Sequence, residues 1–396
     1  MQRIKSAMIK TAALVCVCAT TFGVSACGSS SKGAGENDKT IQFWDDWTRH
    51  TNGSEFDKLV KSCAPEGYTI KRQSIATSDL LNNLTTAVKE DNGPDVAVID
   101  NPMIPSAVDA ALVAGGDETG LKATGYDANL EAPGIVNKVT YGVPLGGSNT
   151  LGLIYNPKII SEAGVDVSSI HDWDSLNKAI EAVVNSGHKG IAFSGISGEE
   201  GVFQFLPWFW GAKGDLKHPD SQARTDAQNL LAGWIKKGWA PKSATTDTQS
   251  AAWDLFLAGD YGFVEIGTWM QAEADKANAK MIPIPAKDGG VAPVPTGGEF
   301  AMVATHKKNA KEHYDKAVKV ISCLSEPDKL FKVNNALSNL SAKKSVRSRQ
   351  VKENAGLAQW EASIEKAQGR TSDLGLKYEE TSASLSESLL NALNKQ

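Results

Sequence analysis

Two α/β domains, each an open, mostly parallel sheet flanked by helices, are the architecture this sequence predicts. Three observations support it. The chain runs to 396 residues, longer than one hydrophobic core ordinarily serves. Residues 40–99 read strand, helix, strand, helix, strand, the alternation of a doubly wound sheet. After a second run of strands and helices, residues 295–303 pass through a glycine turn into one more strand.

At the amino terminus Arg3, Lys5 and Lys10 precede an uncharged stretch, 12–26, that is mostly apolar or small. It falls short of the ~20 residues of a membrane helix and has the flanks of a secretory signal. Val24-Ser25-Ala26-Cys27 closes it, and small residues set before a cysteine resemble the bacterial lipobox. The expectation is that 1–26 is a signal peptide and that Cys27 carries a diacylglyceryl thioether. Two acyl chains anchor far more firmly than one. Residues 27–39, rich in Gly and Ser, form a flexible tether, and the folded part begins near Thr40. Cys16 and Cys18 leave with the signal. Cys63 and Cys323 remain, and outside the cytoplasm they either pair or stay as two buried thiols.

In the first domain, residues 40–44 are a short strand leading to the loop Asp45-Asp46-Trp47-Thr48-Arg49. Ser54 caps a helix with Asp57 three residues on, and Phe56, Leu59, Val60 and Cys63 form its apolar face. Residues 67–75 alternate as a second strand. Thr77 or Ser78 caps the next helix, which carries Leu80, Leu81, Leu84, Ala87 and Val88 at helical spacing. Gly93-Pro94 ends it, and the apolar run 95–99 suits a strand buried on both faces. Open sheets bind ligands beyond the carboxyl ends of their strands. Trp44, Asp45, Asp46 and Trp47 land there after the first strand, and Asp100 and Asn101 after the third. Asp100 and Asn101 equally suit a turn held by their own side chains.

In the second domain, 141–145 and 151–156 are extended, joined by a small polar loop that offers Asn149. A helix follows over 157–163, and Trp173 sits at a capped helix start as core. Residues 190–193 form a strand. The stretch 203–213 is aromatic, and Trp208 and Trp210 beside Gly211 suggest a platform. Trp234 and Trp239 read as core of an amphipathic helix. Residues 248–257 form a helix carrying Trp253, and 261–266 form a strand bearing Glu265 into a glycine turn that presents Trp269. An indole offers a flat apolar face and a carboxylate a directional acceptor, a pairing suited to a sugar. Residues 281–285 form an interrupted strand. Lys343, Lys344, Arg347 and Arg349 read as a solvated helix face.

These landmarks, in order, resemble the family 1 extracellular solute-binding proteins of ABC-type carbohydrate importers. The matching residues are the lipobox at Cys27, Phe43-Trp44, Gly93-Pro94-Asp95-Val96 leading to Asp100, Tyr141-Gly142-Val143-Pro144 and Tyr155-Asn156-Pro157. They continue with Phe256-Leu257-Ala258-Gly259-Asp260 leading to Gly267-Thr268-Trp269, and with Gly297-Gly298 before a strand. The resemblance implies two lobes of the periplasmic-binding-protein type, joined by hinge strands and closing on a sugar. The lobes would be 40–148 with 297–335, and 149–296 with 336–396. It also implies that Trp44 to Trp47, Asp100, Asn101, Trp269, Gly298 and Glu299 line the cleft. In that reading rings stack on Trp44, Trp208, Trp210, Trp253 or Trp269. Asp45, Asp46, Asn101, Asn149, Glu265 and Glu299 hold hydroxyls. Several ring faces favour an oligosaccharide, delivered by a monomeric, membrane-anchored protein to the permease subunits of the importer.

Other classes fit less well. A net charge of -5 opposes nucleic-acid binding. No Gly-x-x-x-x-Gly-Lys-Ser/Thr loop occurs, so the ATPase is a separate chain. The six histidines are scattered and no Cys-x-x-Cys occurs, so neither a metal nor a cofactor is expected. A glycoside hydrolase needs two carboxyls facing each other roughly 5–10 Å apart, whereas the adjacent Asp45 and Asp46 point apart. A binder of polyamines or other cations also uses indoles and acids and is the main alternative.

Overall fold

The structure is a computed structural model that describes residues 39–146, 150–371 and 374–395. The expected signal 1–26, Cys27, the tether up to residue 38 and Asn149 lie outside the described residues. No helix among those described is long and apolar enough to cross a membrane.

Twelve strands follow one another as β1 (Thr40–Asp45), β2 (Thr69–Ser74), β3 (Val96–Asp100), β4 (Val113–Ala114), β5 (Ile135–Val136), β6 (Val139–Thr140), β7 (Gly142–Pro144), β8 (Leu151–Tyr155), β9 (Lys189–Ala192), β10 (Tyr261–Gly267), β11 (Lys280–Ile282) and β12 (Glu299–Ala304). The first lobe is built on a sheet of order β2-β1-β3-β12-β4, with β7 also on β12. β1 runs parallel to β2 and β3. β12 returns antiparallel to β3 and pairs Glu299 with Asp100. The second lobe holds the order β11-β8-β10-β9, with β9 and β10 parallel and the other pairs antiparallel. β5 and β6 form a separate hairpin.

The two-lobed α/β class holds, but both sheets are mixed rather than mostly parallel. Strands such as β12 and β8 reverse the local direction, because each reaches its sheet from the other side of the molecule rather than through a βαβ crossover.

Sequence pattern explains the layers. Val96 and Val98 of β3 pack with Phe56, Val60 and Val320 on one face. Ala97 and Ile99 pack with Leu84, Val88 and Ile104 on the other. A strand covered on both faces is apolar throughout, which is why 96–99 shows no alternation. Ser54 caps the helix Glu55–Lys61 by accepting from Asp57 N at 3.2 Å. The helix Thr77–Lys89 instead starts after Ala76, without a side-chain cap, so Thr77 does not play the expected part. Thr77 faces the cleft and donates to Asp46.

Cys63 and Cys323 form a disulfide, their Cα atoms 5.7 Å apart, which ties the first of these helices to Ala310–Ser325. The second lobe has its own core, in which Trp208, Trp234, Trp253 and Trp360 are fully buried. Trp173 and Trp239 belong to it as expected. The last passage between cores is interleaved: Leu337 and Val346 join the first, and Leu340, Ala342 and Leu357 the second.

The basic cluster is not simply a solvated face. Arg347 is buried against Asp127, Lys343 lies 4.6 Å over the Tyr126 ring, and Arg349 lies 3.8 Å over Phe331. Their alkyl and guanidinium surfaces cover apolar rings, a use of basic side chains that charge counting misses.

Candidate functional site

A cavity of about 580 Å³ lies between the lobes. Its size falls within the range of small-molecule sites. Parallel pairing of β1 with β3 brings Asp46, Trp47 and Asp100 to one edge, and the antiparallel β12 starts at the same edge with Glu299. The opposite wall carries Glu199, Glu200, Phe203, Gln249 and Trp269.

Of the residues expected at the cleft, Asp46, Trp47, Asp100, Trp269 and Glu299 line this cavity. Gly297 does so in place of Gly298, whose carbonyl accepts from Asn101 Nδ2 at 3.4 Å. Asn101 is buried and also donates to Thr296 O at 2.9 Å, so it pins the turn before β12 instead of facing the cavity.

Asp45 stands in the first lobe's interior. Its carboxylate takes two bonds from Arg72, at 2.6 and 2.7 Å, and one from Trp47 N at 3.0 Å. Arg72 in turn donates to Trp47 O, at 3.2 Å, and to His50 O. Asp45 is thus a positioning residue for the Trp47 loop. Trp44 is half-buried and does not line the cavity.

Four further expectations are corrected. Trp208, Trp210, Trp253 and Glu265 are buried in the second lobe's core and do not line the cavity. The second half of the helix Glu199–Gly211, from Leu206 onward, is apolar at every position and buried all round. Trp208 Nε1 donates to Glu265 Oε2 at 2.9 Å, and burial pushes the Glu265 carboxyl well above the ordinary range. Trp253 Nε1 donates to Glu273 at 2.8 Å.

Two glycines shape the aromatic walls. A Cβ on Gly267 would meet Trp269 Cζ3 at 1.9 Å, so the indole lies folded back over that glycine. A Cβ on Gly146 would come 2.8 Å from Trp47 Cζ2. Trp47 also packs edge-on against Phe56, centroids 4.8 Å apart.

The centre of the site is an ion cluster that sequence reasoning missed. Arg370, almost fully buried, donates to Glu199 Oε1 at 2.7 Å and to Asp100 Oδ1 at 3.2 Å. It therefore bridges the end of β3 in one lobe and the start of a helix in the other. Burial disfavours its charge, but Asp100 and Glu199 more than offset that and hold its pKa up. Glu199 also accepts from Tyr378 at 2.7 Å and from Ser382. Arg370 lies 4.8 Å over the Phe203 ring, which packs 6.2 Å from Trp269.

Asp46 Oδ2 accepts from Thr77 at 3.0 Å, while its buried Oδ1 has no partner. Burial and then the charge of Asp100 push its pKa up to about 7. Burial likewise raises Asp100, against the pull of Arg370. Glu199 and Glu200 at a helix start gave only a helix-boundary signal, and nothing in the sequence around Arg370 marks it.

The chain matches the profile of bacterial extracellular solute-binding proteins over residues 58–359. It belongs to that family. Three solved structures share the solute-binding protein's fold. The cyclic alpha-maltosyl-1,6-maltose binding protein from Arthrobacter globiformis is 20% identical, with a TM-score of 0.70 over 90% of this chain and 98% of that one. Maltose-bound MalE3 of T. maritima is 17% identical, with a TM-score of 0.73 over 90% and 98%. UgpB from Mycobacterium tuberculosis, in complex with glycerophosphocholine, is 17% identical, with a TM-score of 0.70 over 90% and 99%. No curated protein matches the sequence.

Proposed function

We propose that this extracellular solute-binding protein captures an oligosaccharide between its lobes and delivers it to the permease subunits of an ABC importer. The observation that carries the reading is the pair of indoles, Trp47 from one lobe and Trp269 from the other, on the walls of one cavity together with Asp46, Glu200 and Glu299. Rings stack on the indoles while carboxylates take hydroxyl protons. The names of two similar structures, a binding protein for a cyclic maltose derivative and a maltose-bound MalE3, support a sugar as the class of ligand.

In this reading residues 1–26 are removed, Cys27 is lipidated, and 27–39 tether a monomer to the outer face of the membrane. The lobes are 40–148 with 297–335 and 149–296 with 336–396, the last crossing being spread over 337–357. A glycan array with the purified protein, followed by calorimetry on the hits, tests it. Saturable binding of an oligosaccharide without product release is expected. Released product, or no binding to any glycan, refutes it.

A further inference from the structure

The cavity is unbalanced in charge. Five carboxylates line it, Asp46, Asp100, Glu199, Glu200 and Glu299, against the two guanidinium groups of Arg49 and Arg370. Arg370 is already engaged by Asp100 and Glu199. His50 adds no charge at neutral pH, because burial and the nearby Arg72 and Arg49 lower its pKa. Arg49 reaches Met270 Sδ at 3.8 Å. Glu200 takes a bond from Gln249 N at 2.5 Å.

Two acceptors of the wall lack partners, as does one donor, Nε of the doubly paired Arg370. Asp46 Oδ1 has no partner, and neither has Oδ1 of Asn339, which lines the same cavity and is 2% exposed. A neutral hydroxyl brings one donor and one acceptor site. An ammonium brings three donors, no acceptor, and the missing charge. It also interacts with aromatic faces, and Trp47, Phe203 and Trp269 all line the cavity.

We propose that the sugar taken by this site carries a basic nitrogen, and that its ammonium group pairs with Asp46. The inference rests on the oligosaccharide reading above and narrows it to amino sugars. Asp46 has an unpartnered oxygen and makes no ion pair with Arg370. An incoming cation replaces the proton that burial and Asp100 favour on this carboxyl in the empty cavity. A ligand whose amine is already protonated in solution therefore releases protons on binding near neutral pH, whereas a neutral sugar held by hydrogen bonds releases none.

The test is calorimetry on the purified protein with matched pairs: cellotetraose against the glucosamine tetramer, and maltotetraose against its 6-amino-6-deoxy derivative. Each is run near pH 7 in two buffers of different ionisation enthalpy. The amine-bearing member of at least one pair is expected to bind tenfold or more tightly, about 1.4 kcal/mol. The affinity of the amine-bearing member should weaken with added salt. The 6-amino-6-deoxy derivative, its amine largely protonated at pH 7, should release a fraction of a proton, whereas the glucosamine tetramer, whose amines are partly neutral there, also takes protons up. Asp46→Asn removes the amine preference and the proton release. Glu200→Gln, which leaves the Asp46 carboxyl intact, keeps the proton release. Equal or tighter binding of the neutral members overturns this inference and leaves the oligosaccharide reading standing. Binding of spermidine with no sugar of either kind overturns both.

Discussion

Asp45 and Asp46 are neighbours in sequence with different tasks. Asp45 is sealed against Arg72, and removing one member of a buried pair costs about 3–5 kcal/mol. Asp45→Asn should lower the unfolding free energy from urea titration by that order and loosen the Trp47 loop, visible as a change in indole fluorescence. Asp46 acts through its proton. Its pKa rises from 3.8 to about 7 in the fold, so between those values the native state holds a proton that the unfolded chain has released. Stability from this group is therefore present at the acidic end and declines as pH rises toward 7. Asp46→Asn should flatten that decline in urea titrations at pH 5 and 7.5. Gly267→Ala drives a methyl into Trp269, so ligand affinity should fall roughly tenfold, about 1.4 kcal/mol, as in Trp269→Ala. Calorimetry on both variants checks it. Unchanged affinity in Gly267→Ala would mean that the indole is not a ligand face.

At the scale of elements, the disulfide joins the end of Glu55–Lys61 to the helix Ala310–Ser325 across 260 residues of sequence. Reduction should cost about 2–5 kcal/mol, read as a drop in melting temperature with a thiol reductant. A second device sits where β3 begins and β12 ends. The rings of His306 and His313 stack 3.7 Å apart beside Asp95, which also pairs with Lys316. Burial and the His313 charge lower the pKa of His306, so below about 6.5 the unfolded chain gains its proton more readily than the fold does. This contribution is full above 6.5 and is lost as pH falls. His306→Asn should reduce the acid loss of stability between pH 6.5 and 5, followed by thermal melts.

For the whole molecule, the contact that matters is Asp100–Arg370–Glu199, because it fixes one lobe against the other at the cavity. Arg370→Gln leaves two half-buried acids facing without a counter-charge. The expected result is a more open protein, with a larger radius of gyration in X-ray scattering and weaker ligand binding. An unchanged radius would show that the triad does not set the angle between lobes.

The sequence by itself determined the α/β alternation, the early strands, the Ser54 cap and the wall residues Asp46, Trp47, Asp100 and Trp269. Each of these depends on local periodicity, on caps, or on the rule that strand ends meet a ligand. Tertiary structure alone decided that Trp208, Trp210 and Trp253 face inward and Trp269 does not. Trp208 and Trp269 have the same chemistry, but one lies on the enclosed second half of a helix and the other on a glycine turn at a strand end. It also decided that Arg370, far along the chain, neutralises Asp100. An ion pair between residues 270 positions apart leaves no periodic trace, because it depends on how two lobes come together rather than on any segment's own preference.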